Sequence, residues 1–142
     1  MDGIINMSNT KPIGVAFTDQ DIIGSQYVLS SEQLGYTTDA QGTVTQATSK
    51  STAVTLNKSA GQIVMNNAAL ASVTNVTFTL NNSFISSNDI VILNVSAGAT
   101  AGAYNVWVSG LSAGTVTITV RNISGGSLSE AVTINFALIH CQ

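Results

Sequence analysis

The chain has 142 residues, 44% of them hydrophobic and only 8% charged, with a net charge of −3. A charged fraction of about 25% is usual, and the four Lys and Arg residues form no basic stripe, so nothing here prepares the chain to grip a phosphate backbone. Direct nucleic-acid binding is excluded on that ground, and the apolar runs fall well short of the ~20 residues that a membrane-spanning helix requires.

Thr, Ser and Asn stand where the charged residues are missing. Thr is β-branched and suits a pleated surface, while Ser and Asn suit turns. Long helices draw on Glu, Lys and Arg for their solvated faces, so this composition predicts an all-β fold. Burying Thr, Ser and Asn against a partner also costs less than burying ions, which favours a protein that lives in contact with copies of itself or with a neighbour.

Residues 1–42 read as an extended N-terminal arm. Its short apolar clusters hold Ile4, Ile5, Ile13, Phe17 and Tyr27, separated by Gly, Asn, Asp and the single proline, Pro12. Neither a helical nor an alternating period runs through them. The arm is acidic, with Asp2, Asp19, Asp21, Glu32 and Asp39 against Lys11 alone. Those five apolar residues are interface candidates, because such a stretch makes no core by itself. The first residues lack a basic segment followed by a sustained apolar run, so no signal peptide is expected.

Residues 43–142 read as the body. Strands are predicted around 43–45, 53–56 and 62–65, and then over 76–80, where Val76, Phe78 and Leu80 alternate with Thr77 and Thr79. Asn67–Ala71 (NAALA) allows one helical turn. Residues 90–95 are nearly all apolar, the pattern of a central strand covered on both faces. Tyr104, Val106 and Val108 alternate around Asn105 and Trp107, which turns Trp107 outward or into a second packed layer and makes it a sixth interface candidate. Val116, Ile118 and Val120 alternate with Thr, and Val132, Ile134, Phe136 and Leu138 close the series. Eight short strands with Gly, Ser and Asn turns between them predict an antiparallel β-sandwich, jelly-roll or immunoglobulin-like.

Catalytic chemistry finds no foothold. His140 and Cys141, the only residues of their kinds, are adjacent, and neighbours on an extended strand point to opposite faces. A lone Cys141 forms no intrachain disulfide. Asp19 and Asp21 lie close together, but without the Gly and bidentate acid of a calcium loop. Arg121, at a strand end, is expected to pair with Asp89 or Glu130. The reading is a non-enzymatic protein with no cofactor and no metal.

The phrasing of the body resembles a known family. Residues 42–52 (GTVTQATSKST), 54–58 (VTLNK), 61–63 (GQI), 65–70 (MNNAAL), 98–105 (GATAGAYN) and 121–131 (RNISGGSLSEA) are similar to small structural proteins of tailed bacteriophages, above all capsid decoration (cement) proteins with a β-sandwich body. That resemblance implies a virion protein on the outer capsid surface, assembled in the host cytoplasm. Its partners would be the major capsid protein and further copies of itself, as a homotrimer or homodimer. The alternative is a tail-fibre or head-fibre module that binds a host receptor or glycan. Such a module would cluster exposed aromatics on loops, whereas here the aromatics are expected within strands or the arm.

Overall fold

The computed structural model describes Tyr27 and residues 29–141. The chain divides into two units, Met1–Leu34 and Gly35–Gln142. In the first, Ser30 Oγ accepts a hydrogen bond from the Glu32 backbone N–H and donates one to the Gln33 carbonyl.

The second unit is a sandwich of two four-stranded sheets. After a single 3-10 turn, Thr38–Ala40, come β1 (Gln41–Thr45), β2 (Val54–Thr55), β3 (Ala60–Val64) and β4 (Asn75–Asn81). They are followed by β5 (Ile90–Ala97), β6 (Tyr104–Ser112), β7 (Thr115–Asn122) and β8 (Thr133–Ile139). The first sheet has the order β1-β3-β8-β5 and the second the order β2-β4-β7-β6.

The all-β sandwich and its eight strands agree with the sequence reading, but the sheets are mixed. β1 pairs parallel with β3, and β2 parallel with β4; the other pairings are antiparallel. Parallel neighbours need a crossover connection. Here a strand of the opposite sheet supplies it: β2 lies between β1 and β3 in the chain, and β3 between β2 and β4.

Alternation explains the core. Phe78, Leu80, Val116, Ile118 and Val120 of the second sheet face Ile63, Ile134, Phe136 and Leu138 of the first, all buried in one cluster. Thr residues between them take the outward positions. Gly42, Gly61 and Phe136 share one register row across β1, β3 and β8. A Cβ on Gly61 would lie 2.5 Å from the Gly42 carbonyl oxygen, 2.9 Å from Leu56 Cδ2 and 3.1 Å from the Phe136 ring. The two glycines make room for Leu56 and the aromatic ring.

Three sequence expectations fail locally. Residues 67–71 form no helical turn. Instead Asn66 Oδ1 accepts the Ala68 N–H, and Leu70 bridges Leu128 through a reciprocal pair of backbone bonds. Secondly, β5 is an edge strand, not a central one, with Ile90 and Ile92 half-exposed. Its apolar residues therefore do not report burial on both faces. Thirdly, Arg121 makes no ion pair among the described residues. Its cross-strand neighbours are Asn75 and Asn105, while Asp89 and Glu130 are already engaged by other donors.

Replacing Gly61 by Ala drives a methyl group into rigid backbone and packed side chains. We expect a loss of about 1–3 kcal/mol of stability, read as a lowered urea midpoint.

Candidate interaction surface

The ends of the sandwich are tied by buried polar side chains. Gln46 Nε2 donates to the carbonyls of Lys50 and Thr52, both at 2.9 Å, and its Oε1 accepts the Asn66 N–H. Asn82 donates to the Lys58 carbonyl and accepts the Phe84 N–H. Asn122 donates to the carbonyls of Leu70 and Gly126 and accepts from the Ser124 N–H and hydroxyl. Each amide uses both its donor and its acceptor, as burial demands.

Two ionised groups are sunk among these loops. Lys50 is buried, and its ammonium donates to the carbonyls of Asn66 at 2.6 Å and Glu130 at 2.5 Å. Burial pushes the Lys50 pKa down, and the charge of Glu130 partly restores it. The Thr100 hydroxyl and N–H hold the Glu130 carboxyl below its ordinary range. Burial first, and then the neighbouring Glu130, push the Tyr104 phenol up to about 12.

Asp89 anchors the end of β8. Its carboxylate accepts from the Ser86 hydroxyl at 2.6 Å, the Ser86 N–H at 2.8 Å, the Cys141 N–H at 3.2 Å and His140 Nδ1 at 2.9 Å. The Ser86 hydroxyl leads these donors in holding the carboxyl far below the usual carboxylate range. His140 is therefore part of a structural clasp, and Cys141 is a free thiol whose Sγ reaches the Ile139 carbonyl.

With charge absorbed in the loops, the sheet faces are left almost free of it. The four strands of the first sheet contain no Asp, Glu, Lys, Arg or His. Across its outer face, Thr43, Gln62, Asn135 and Asn94 form a polar row, with Gln62 donating to Asn135 Oδ1. Beside that row Ile92 pairs with Ala137, and Ile90 pairs with Ile139; the three isoleucines are 48–53% exposed. Covering one such half-exposed side chain contributes on the order of 1 kcal/mol.

The outer face of the second sheet carries Trp107, 38% exposed and turned away from Tyr104, Val106 and Val108 as its alternation predicts. Its cross-strand partner Thr119 is buried and joins Thr77 and Ser109 in a chain of hydroxyl hydrogen bonds, each 2.8 Å. Tyr27 is exposed. Ile4, Ile5, Ile13 and Phe17, with Asp19 and Asp21, lie outside the described residues. Sequence reasoning passed over Ile90, Ile92 and Ile139 because it placed 90–95 in the middle of a sheet. It also passed over Phe84, an aromatic on the loop between β4 and β5 that is half-exposed, against the expectation that aromatics stay in strands or the arm.

Two grooves open on the surface. One, of about 470 Å³, runs over the first sheet beside Gln41, Thr43, Gln62 and Asn135; the other, of about 300 Å³, lies between the end of β5 and Tyr104. Neither is lined by a carboxylate, His, Cys, Lys or Arg side chain. Among the described residues no three His, Cys, Asp or Glu side chains gather, and no helix is long and apolar enough to cross a membrane. No family model matches the chain, and no curated protein or solved structure matches it either.

The Asp89 clasp sets a pH response. Its folded pKa is depressed, so its stabilisation is complete above the unfolded carboxylate value of about 3.9 and is lost as pH falls further toward the folded one. The thermal midpoint of the wild type should fall between about pH 5 and pH 2 more steeply than that of Asp89→Asn, which should start lower at neutral pH. Parallel curves would show that Asp89 is not the group responsible.

Proposed function

We propose that this chain is a capsid decoration (cement) protein of a tailed bacteriophage, a homo-oligomer that bridges and stabilises major capsid subunits from the outer surface of the virion. The observation that carries this reading is the outer face of the first sheet, built from Thr, Gln, Asn, Ala, Val and Ile without one ionisable side chain. A free monomer of ordinary solubility surrounds itself with charge of both signs. A face of amides, hydroxyls and short apolar groups sheds its water with little electrostatic cost, and its backbone is held stiffly by the paired strands.

Cementing a shell is a task for many weak contacts made at once. Each contact of this kind is modest, but copies joined to one another engage several capsid subunits together and are retained through avidity. The body also suits the load. Its loops are closed by buried amides and clasps, and its core is a single packed cluster, so force applied at a face meets a rigid layer. In this reading the acidic residues 1–42 form an arm that reaches a neighbouring subunit.

The test is binding to expanded capsids of the encoding phage against binding to intact host cells. Saturable attachment to capsids, in fixed ratio to the major capsid protein and with raised resistance of the particle to heat, is the expected result. Attachment to cells without attachment to capsids would overturn the reading in favour of a fibre module. Deleting residues 1–30 should lower particle occupancy at least several-fold; full occupancy would remove the arm from the account.

A further inference from the structure

The two sides of the sandwich differ. One side is edged by the short strands β1, of five residues, and β2, of two. The other is edged by β5, of eight residues, and β6, of nine. Val91, Leu93 and Val95 of β5 and Val106 and Val108 of β6 pack on the core yet remain partly exposed, whereas Ile63, Ile118 and Ile134 are fully enclosed. The β5 side is an open seam, where core-facing side chains reach solvent beside a strand edge.

The backbone at that edge can be oriented from its neighbours. Leu138 N–H donates to Ser59, and the Val132 carbonyl accepts from Met65, so even-numbered residues of β8 turn their peptide groups toward β3. Asn135, Ala137 and Ile139 therefore bond to β5, where their partners are Asn94, Ile92 and Ile90. Peptide direction alternates along a strand. The N–H and C=O groups of Val91, Leu93 and Val95 thus point away from the sheet; among the described residues no other backbone group pairs with them, and only the Val95 carbonyl has a partner, a long 3.5 Å bond from the side-chain amide of its own neighbour Asn94. Natural edges of this length are blunted by charge, Pro or a bulge. Here Ile90–Ala97 contains no charge and no Pro, and its one irregularity lies beyond Val95.

We infer that this edge receives a second copy of the chain, β5 against β5, antiparallel about a two-fold axis at Leu93. The inference deepens the homo-oligomer of the proposed function by assigning its contact surface. Val91, Leu93 and Val95 read the same in both directions, as a self-complementary interface requires. The axis sets Leu93 opposite Leu93 and Val91 opposite Val95, and each of these pairs exchanges two backbone bonds, about six in all. On the outer face Ile92 meets Asn94, with no charges to repel. The side of the sandwich measures roughly 27 Å along β5 and, with side chains beyond both sheets, roughly 20 Å across. The projected area is then roughly 540 Å², and its corrugation brings it to about the lower end of the ~600–1,000 Å² per partner of stable dimers.

Sedimentation equilibrium of the full chain, without capsids, tests this separately from capsid binding. The expected mass is twice the 14.6 kDa of one chain at high concentration. Ile92→Lys/Asn94→Lys and Ile92→Glu/Asn94→Glu place like charges directly opposite across the axis, so each alone should halve the mass, and mixing the two should restore it. Hydrogen exchange on the unaltered chain checks the same edge without a variant. The amides of Val91, Leu93 and Val95 should be protected at high concentration and exchange at least tenfold faster on dilution. A mass of one chain or of three, a Lys variant that keeps the doubled mass, or a mixture that stays apart would overturn the inference. So would association lost on deleting residues 1–26 but kept by the charged variants, which would assign the contact to the arm. A chain that pairs in this way yet ignores capsids would refute the cement reading alone.

Discussion

Where strands end in this sandwich, buried amide side chains take up the backbone groups that no sheet satisfies. Gln46, Asn82 and Asn122 each reach across a turn to carbonyls and N–H groups that burial has cut off from water. A buried polar group left without a partner costs about 1–3 kcal/mol, so three such side chains decide whether the loops close over the core or stay in solvent. Lys50 and Asp89 extend the same solution with charge. The first is spent on two backbone carbonyls, and the second gathers Ser86, His140 and the backbone at Cys141.

The remaining surface depends on this arrangement. Because the turns are held from within, the faces have no need of ion pairs, and among the described residues no Lys or Arg reaches a carboxylate; Asp89 instead takes a hydrogen bond from His140. Thr and Asn suffice to keep the outer rows hydrated while they are free. The same residues give up that water readily against a neighbour, which is the physical core of the cement reading. In the cement reading proposed above, an edge strand without charge and a sheet face without charge belong to one design, a body covered on more than one side.

Much of the fold was legible as period-two alternation. Thr between Val, Ile and Phe marked β4, β7 and β8, and the same rule turned Trp107 outward. Legibility stopped where one pattern has two meanings. The apolar run at 90–95 fits a central strand as well as an apolar edge strand, and composition alone does not separate them. The parallel pairings were hidden because they arise from chain crossing between sheets, which leaves no local mark. The loop at 67–71 has Ala-rich helical content, yet the Asn66 side chain captured the Ala68 N–H and Leu70 found Leu128, 58 positions away by number. Arg121 was assigned a partner from the charges available, but Ser and Thr hydroxyls with backbone N–H groups hold those carboxylates instead.

The account turns on the uncharged outer face of the first sheet being a contact surface on the particle. Hydroxyl-radical footprinting of Ile90, Ile92 and Ile139, on the free chain and on occupied capsids, measures that directly. At least one of these half-exposed side chains should lose most of its reactivity on the capsid beyond what self-association removes, while Phe84 on its loop serves as the internal comparison. Equal reactivity of all three in both states would contradict the account, because the face would then still be in water where it was meant to be buried.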